Sequence, residues 1–291
     1  MTFWKHIFLL AFALIPLSAR LSCAAEVIVV ADTKLKPVAE IISGIKKTLK
    51  TPLKIYPPSQ VKGTLNAVVA EEEATIVVAL GREALVEALR LPPSVLVIYD
   101  LVVIPPVIGR PNTTGFYMAT PAKEYTDFIS DHLRDLSRIA VVGSRDQLDI
   151  LARYDSAHLT SYSVRNAFEF VSTIKQLNGA GAILLLPDVS VLTATAMEEA
   201  YLLSFRKNIP LLGISEKSVK DGALLALVVD SVNVGRVIGE YAAKALRGAD
   251  VGQLPPSPPR KFDLFVNLDT ARKMGIRISD DVLRSAKRTY P

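Results

Sequence analysis

The sequence has little of the chemistry on which most enzymes depend. Its 291 residues include one cysteine and three histidines. A single cysteine excludes a disulfide within the chain, and neither His132 nor His158 has a partner at the spacing of metal ligands. No HExxH, GxSxG, Walker A or GxGxxG pattern is present. These absences argue against a hydrolase, a transferase or a redox enzyme, and we expect no cofactor and no metal.

Long hydrophobic runs are also missing. The clearest apolar run, Ile7–Leu17, has eleven residues, whereas a membrane-spanning helix needs about 20. Polar residues precede it and the small-residue segment Ser18–Ala25 follows it, in the order typical of a secretory signal peptide. We predict a signal peptide over residues 1–25, a mature chain that starts at Glu26, and a periplasmic location. The alternative is a buried first strand or helix.

Cys23 leaves the fate of this end of the chain open. A lipoprotein would carry such a cysteine as its acylated first residue. The preceding residues fit a lipobox poorly, because Arg20 stands where that motif has leucine. A lipid anchor at Cys23 and removal of Cys23 with the signal peptide are the two alternatives.

Clustered positive charge is missing as well. The formal net charge is +5, and loss of residues 1–25 would remove Lys5 and Arg20 and leave +3. The charges are interspersed along the chain, whereas nucleic-acid-binding proteins concentrate them on one face. We therefore expect no nucleic-acid partner.

Short apolar strands alternate with amphipathic helices along the predicted mature chain. Several strands are continuous Val/Ile/Leu runs, as expected where both faces of a parallel sheet are covered. The alternation predicts an α/β fold with mostly parallel sheets. The predicted strands are Val27–Ala31, Leu53–Tyr56, Thr75–Leu80, Val95–Tyr99, Arg138–Val142, Ala182–Leu186, Pro210–Ile214, Leu224–Val229 and Phe262–Val266. The predicted helices are Val38–Leu49, Arg82–Leu89, Ala122–Leu133, Ala167–Leu177, Leu192–Arg206 and Val232–Leu246.

Two breaks in this alternation suggest two lobes. Gly109–Asn112 interrupts the pattern near the end of the first third. Pro255–Pro259 has four prolines in five residues, which can neither continue a helix nor join a central strand. We predict that this segment is a stiff, extended crossing between lobes; a plain surface loop is the alternative.

A series of short motifs in the last third carries a family resemblance. In this order, the series resembles the ABC-transporter substrate-binding proteins, a family that includes tryptophan- and tyrosine-type binders. Upstream, Ala79–Ala84 and Asn112–Gly115 are similar to a turn and a strand entry of the same family. The likeness covers about residues 27–286. The motifs are Leu184–Asp188, Ile209–Gly213, Val219–Leu224, Val229–Asp230, Val234–Arg236, Val266–Ala271, Met274–Ile276 and Val282–Leu283.

The resemblance implies a type I periplasmic binding fold, in which two Rossmann-like lobes with parallel sheets are joined by a three-strand hinge. It places residues 26–117 and 231–253 in lobe 1, and residues 118–230 and 260–291 in lobe 2. The stretch Arg145–Arg165 departs from the family pattern because it is short for a full strand–helix–strand unit.

The implied function is an extracytoplasmic solute-binding protein. It would capture a small molecule, such as an amino acid, in the cleft between the lobes. Its partner would be an ABC permease in the inner membrane, with the ATPase of that permease. A ligand sensor that feeds a membrane kinase or chemoreceptor is the alternative, because fold alone does not settle function.

Residues that directly follow strands are the candidate ligand contacts, because ligands of open α/β sheets lie outside the carboxyl ends of the strands. Asp188 could pair with an ammonium group or cap the next helix. Gly81 would let a ligand approach the backbone or simply form a turn, and the two threonines could donate hydroxyls or favour the strand. We place a ligand carboxylate near Gly81 and the threonines, and an ammonium at Asp188. The predicted contacts are Gly81, Thr113, Thr114, Asp188, Ser215 and Asp230.

Overall fold

A computed structural model describes residues 26–104, 109–136, 138–152 and 158–291 of the chain. The predicted signal peptide, with Cys23, lies outside the described residues. Within them the chain forms two β-sheets with helices on both faces of each, so the predicted α/β class is confirmed.

The first sheet has five strands in the order β2-β1-β3-β4-β5, all parallel. The second has seven in the order β12-β11-β10-β9-β8-β6-β7, parallel except for the pairing of β10 with β11. The strands of the first sheet are Val27–Val30 (β1), Leu53–Tyr56 (β2), Ile76–Leu80 (β3), Leu96–Asp100 (β4) and Thr113–Gly115 (β5). Those of the second are Ile139–Gly143 (β6), Leu159–Ser163 (β7), Ala182–Leu185 (β8), Leu211–Gly213 (β9), Leu225–Val229 (β10), Phe262–Asn267 (β11) and Arg288–Tyr290 (β12).

Twelve α-helices connect and cover these strands in the described part of the chain. They are Lys36–Thr48 (α1), Pro58–Val61 (α2), Leu65–Glu71 (α3), Arg82–Ala88 (α4), Ala122–His132 (α5), Arg145–Leu151 (α6), Ala167–Gln176 (α7), Ala194–Lys207 (α8), Glu216–Lys220 (α9), Ser231–Leu246 (α10), Leu268–Lys273 (α11) and Asp280–Ser285 (α12). All nine predicted strands and all six predicted helices are present, with small shifts at their ends.

Each sheet is buried on both faces, which explains its apolar runs. Alternate residues of a strand point to opposite faces, and in β1 Val27 and Val29 join one hydrophobic cluster while Ile28 and Val30 join another. In the second sheet, Val141 and Val142 are divided in the same way. The helix that follows a parallel strand therefore always finds an apolar surface to cover.

Helix α10 returns from the second sheet to the first and packs closely on α1. Its apolar stripe is expected from the sequence, but the contact face also carries Gly235 and Gly239. A Cβ atom on Gly235 would lie 2.0 Å from the carbonyl oxygen of Ile41, and one on Gly44 would lie 2.2 Å from that of Val232. The two helices approach closely because these positions have no side chain.

Three segments join the two sheets: residues 116–121, Asp230, and residues 254–261. Ser257 is the one residue of Pro255–Pro259 that has a backbone N–H. That N–H donates to the oxygen of Gly115 at 3.1 Å, and the oxygen of Ser257 accepts from the N–H of Tyr117 at 3.4 Å. The proline-rich segment is thus a crossing held against the first crossing strand, and the predicted three-strand hinge is confirmed.

Two local predictions from the sequence, on the break at Gly109–Asn112 and on the short stretch Arg145–Arg165, differ from what the structure shows. The break at Gly109–Asn112 lies between β4 and β5, inside the first sheet, so it does not separate the lobes. The stretch Arg145–Arg165, although short, holds both α6 and β7. The proposed boundaries of the lobes themselves stay a prediction.

Candidate functional site

The carboxyl ends of both sheets meet at the crossings. The chain leaves the carboxyl end of β5 at Gly115 and enters the second lobe, where the Thr120 hydroxyl donates to the oxygen of Leu227 in β10 at 2.7 Å. At the carboxyl end of β10, the N–H of Asp230 donates to the oxygen of Lys261 at 3.0 Å. A cleft between the lobes is therefore bordered by the strand ends at which ligands of α/β proteins bind.

A cavity of about 500 Å³ lies at the carboxyl ends of β1, β3 and β4 in the first lobe. Its lining includes Gly81 and Leu101, which have φ of 96° and 62°. The N–H of Gly81 donates to the oxygen of Asp100 at 2.9 Å, so it is not free for a ligand. A Cβ atom on Gly81 would meet no other atom within 4 Å; the left-handed backbone, rather than crowding, favours glycine there.

A smaller cavity of about 80 Å³ lies at the crossings, beneath the carboxyl ends of β8, β9 and β10. Tyr125 supports its wall: the hydroxyl donates to the oxygen of Gly213 at 2.7 Å and accepts from the N–H of Leu227 at 3.0 Å. Burial raises the pKa of Tyr125 well above its usual value, so the hydroxyl stays neutral. The other lining residues are Met118, Ala119, Thr120, Leu185, Pro187, Ile214, Val228 and Val229.

Asp188 follows β8 at this edge and is half-buried. Its carboxylate accepts from the N–H and the hydroxyl of Ser190, at 2.9 and 2.6 Å. Desolvation raises its pKa, but the hydrogen bonds from Ser190 and Ser144 outweigh this and lower the pKa below its usual value. The alternative prediction that Asp188 caps the following helix is wrong, because Thr193 caps α8. Asp188 is an anion held in place at the edge of the cleft.

Ser215 and Asp230 both cap helices at the same edge. The Ser215 hydroxyl accepts from the N–H of Ser218 at 3.1 Å, in a reciprocal capping box at the start of α9. Asp230 accepts from the N–H of Asn233 at 2.9 Å at the start of α10. Each oxygen can accept further hydrogen bonds, so capping and ligand contact are compatible.

Thr113 and Thr114 lie away from this edge. Thr113 pairs with Val97, near the amino end of β4, and its hydroxyl accepts from Arg110 at 2.7 Å. Thr114 is fully buried. The structure therefore brings Gly81, Asp188, Ser215 and Asp230 to the strand ends that border the cleft, but not the two threonines. Ligand contact stays a prediction for all six residues.

Sequence reasoning missed two charged residues at this edge. Arg82 directly follows Gly81 and lines the cavity of the first lobe. Asp100 ends β4 and is fully buried, and neither of its carboxylate oxygens has a hydrogen-bond partner among the residues that the structure describes. The rule that selects residues after strands could have found Arg82, but nothing local in the sequence marks Asp100 as unpartnered.

Charges also act across the cleft. Glu216 begins α9 in the second lobe, and its pKa is lowered, first by the hydrogen bond from Tyr290 and then by cations that include Lys36. Lys36 begins α1 in the first lobe and is mostly exposed. In the described parts of the chain, no group of three or more His, Cys, Asp or Glu side chains could hold a metal ion, and none of the helices there is long and apolar enough to cross a membrane.

Comparison with protein families decides the classification. The sequence model of the ABC transporter substrate-binding proteins matches residues 110–290. The chain belongs to this family. The resemblance seen in the sequence is thereby confirmed.

Two curated relatives match about half of this substrate-binding protein. A tyrosine-binding protein of Clostridioides difficile is 26% identical over 161 residues, which are 52% of this chain and 46% of the relative. An uncharacterized protein of Rickettsia prowazekii is 25% identical over 144 residues, 49% of this chain and 46% of the relative. The matches thus span about half the length of these relatives.

Two solved structures share the fold over most of the chain. A Streptococcus pneumoniae ABC domain in complex with L-Trp has a TM-score of 0.59 at 18% identity and covers 90% of this substrate-binding protein and 98% of its own chain. A ligand-free, open substrate-binding protein with adhesive properties from Clostridium difficile has a TM-score of 0.66 at 14% identity, with coverage of 91% and 98%. The predicted type I periplasmic binding fold is confirmed.

Proposed function

We propose that this protein captures an amino acid, with aromatic amino acids first among the candidates, and delivers it to an ABC permease from outside the cytoplasm. Family membership carries this proposal. Two similar proteins, one tyrosine-binding and one solved in complex with L-Trp, support the ligand class. The chain would serve as a binding protein rather than an enzyme.

The cleft offers groups that suit a zwitterion. Asp188 in the second lobe is held as an anion by hydrogen bonds from Ser190 and Ser144, so it can meet an ammonium group at neutral pH. If the carboxylate of the ligand is held by the first lobe, closure is favoured when both ends are engaged, since each lobe then gains a contact that the open state lacks.

Ligand identity is best tested by a thermal-shift screen of the twenty amino acids. A ligand at 100 times its Kd stabilises the folded state by about 2.7 kcal/mol. We expect L-tyrosine or L-tryptophan to raise the Tm most. A screen in which no amino acid changes the Tm, repeated by calorimetric titration with the same result, would rule out the proposed ligand class.

Asp188→Ala tests the ammonium site. Loss of a buried charge partner leaves an ammonium unpaired, and we expect affinity to fall at least about a hundredfold, or about 2.7 kcal/mol. Asp250→Ala is the control, because Asp250 is exposed and its side chain caps no helix. Calorimetric titration of both variants with L-tyrosine gives the answer; equal affinities would remove Asp188 from the site.

Closure is tested by small-angle scattering. The three crossings allow the lobes to move as rigid bodies, and hinge closure around a ligand is the common motion of such folds. We expect a saturating ligand to reduce the radius of gyration. An unchanged radius with a ligand of verified affinity would count against hinge closure.

Export is tested on the protein from its native cell. N-terminal sequencing should find Glu26, or a residue close to it, at the start of the mature chain. An intact Met1 would refute the signal peptide, and an acylated Cys23 would show the lipoprotein form.

A further inference from the structure

The cavity of the first lobe contains a single cation. Of the side chains that line it, Arg82 alone is positively charged, and Asp32 and Glu83 are the two carboxylates. Its apolar lining includes Leu35 and Leu80, and Leu35 is 55% exposed. The cavity therefore combines an apolar wall with charges of both signs.

Arg82 has no partner in the described part of the chain. Its side chain is exposed and forms neither a hydrogen bond nor an ion pair there. Arg110, by contrast, donates to Leu91, Pro92 and Thr113 at 2.7–3.1 Å. The guanidinium of Arg82 can thus accept an anion without giving up an existing contact.

The backbone of the cavity wall is unusual at Leu101. Gly81, directly before Arg82, has φ of 96°, and Leu101, across the cavity lining, has φ of 62°. A left-handed leucine is rare because its Cβ crowds the backbone, and such conformations cluster at ligand-binding sites. The left-handed Leu101 in the cavity wall is an indication of a binding site that is independent of the charge, whereas a positive φ at Gly81 is ordinary for glycine.

The donors that the sequence suggested for a ligand carboxylate are already engaged or lie elsewhere. The N–H of Gly81 donates to Asp100, the Thr113 hydroxyl accepts from Arg110, and Thr114 is buried away from the cavity. Arg82 is the one cation among the described lining residues, and its fork of N–H groups matches the two oxygens of a carboxylate.

We propose that Arg82 binds the carboxylate of the ligand in this cavity. The inference rests on the proposed amino-acid function and assigns it a specificity residue. A ligand with only negative charge would meet Asp32 and Glu83 unfavourably, whereas a zwitterion offers a carboxylate to Arg82, an apolar side chain to the apolar wall, and an ammonium group to the proposed site at Asp188 in the second lobe. The cavity thus selects amino acids over simple organic acids and over amines.

The test compares ligands with and without a carboxylate. L-tyrosine and L-tryptophan are titrated against the purified protein beside tyramine and tryptamine, which lack the carboxylate, and the same titrations are made on Arg82→Gln and Arg82→Lys. In Arg82→Gln we expect the affinity for the amino acids to fall by about tenfold or more, as for loss of a hydrogen bond to a charged group. The amines should bind wild type and variant alike, and Arg82→Lys should fall between, because it keeps the charge without the fork.

Arg247→Gln is the matched control. Arg247 is an exposed arginine that directly follows the last residue of α10, outside the cavity, so its loss should leave every affinity unchanged. The Tm of ligand-free Arg82→Gln should equal that of the wild type, because Arg82 has no partner to lose. A lowered Tm together with lower affinity for the amines would point to a structural role and overturn the inference.

The remaining outcomes separate the inference from the function on which it rests. If the wild type binds L-tyrosine or L-tryptophan and Arg82→Gln binds it equally well, the inference is wrong and the proposed function stands. If neither aromatic amino acid binds but another amino acid does, the aromatic preference falls and the same comparison on that ligand decides the role of Arg82. If no carboxylate-bearing ligand binds, both proposals are overturned.

Discussion

Asp100 makes stability depend on pH in a way that one substitution can reveal. It is the last residue of β4 and is fully buried, and within the described ranges neither carboxylate oxygen has a hydrogen-bond partner. Burial raises its pKa from 3.8 to about 7. The nearby N–H of Leu101 opposes this shift, although its geometry falls short of a hydrogen bond. The folded protein therefore holds the carboxyl group in its neutral form at mildly acidic pH.

The sign follows from where the proton is held. Between about pH 4 and about pH 7 the unfolded chain has lost this proton and the folded protein has kept it, so unfolding releases a proton. The free energy of unfolding then falls as the pH rises through this window, by about 1.4 kcal/mol per unit where the difference is complete. The whole window amounts to about 4 kcal/mol, and the part between about pH 5 and about pH 8 to about 2–3 kcal/mol.

Asp100→Asn removes the titration and keeps the shape of the side chain. Urea unfolding from about pH 5 to about pH 8 gives the free energy of unfolding at each pH, and all other titrating groups cancel in the difference between variant and wild type. We expect this difference to grow in favour of the variant by about 2–3 kcal/mol across that range. Asp250→Asn, at an exposed position, controls for the loss of one negative charge. A difference that stays constant for Asp100→Asn would show that its carboxylate is partnered in solution and would refute the reasoning.

Two further substitutions test the packing and the hinge. Gly235→Ala would place a Cβ atom 2.0 Å from the oxygen of Ile41, and overpacking costs about 1–3 kcal/mol. Urea unfolding should therefore show a lower free energy of unfolding, despite the better helix propensity of alanine. The control Gly109→Ala, where a Cβ atom would meet no other atom within 4 Å, should leave the free energy of unfolding unchanged. Ser257→Pro removes the N–H that donates to Gly115 at 3.1 Å, so titration with L-tyrosine should show altered affinity, and an affinity equal to that of the wild type would contradict a role of this contact in closure.

The central elements could be predicted because burial and sequence pattern coincide there. β3 and β4 are buried along their whole length, and a strand covered on both faces must be a continuous apolar run. α10 is long enough, at 16 residues, for its apolar stripe to recur several times. In both cases the residues that pack into the core are the same residues that form the apolar pattern in the sequence.

The elements that the sequence did not predict are those that contribute little to a hydrophobic core or are too short to show periodicity. β7, with the sequence LTSYS, lies at the edge of the second sheet and is half-buried or exposed throughout, so no apolar run marks it. α9 and α11 have five and six residues, fewer than two helical turns, and no periodicity can be read over that length. Nothing in the sequence marks Gly235 as a contact residue, because its importance depends on the backbone of Ile41, which is far away along the chain.

The sequence predicts which edge of the sheets carries the candidate site, but not which polar groups there are free to bind a ligand. Positions after strands are set by the topology of parallel sheets, so Asp188, Ser215 and Asp230 could be placed at the carboxyl edge without a structure. Whether a polar group there is free or already bonded depends on neighbours that the sequence does not reveal. Thr113 is an example: its hydroxyl already accepts from Arg110, which the sequence does not reveal, and its contact with a ligand stays a prediction.

The polar side chains of the two lobes differ in whether they are already hydrogen-bonded, and this difference suggests separate roles for the lobes in ligand binding. In the second lobe, Asp188 and Ser215 are fixed by their neighbours before any ligand arrives, so that wall is preorganised and its contacts cost little ordering on binding. In the first lobe, the side chain of Arg82 has no partner among the described residues and lies beside the left-handed Gly81 and Leu101, so it must be ordered by the ligand. An amino acid that engages both walls offsets that cost with a charge-assisted contact, whereas an amine engages one wall and leaves Arg82 unordered. Selectivity for the carboxylate would then arise in the first lobe, because only there does the ligand give an unpaired side chain a hydrogen-bond partner.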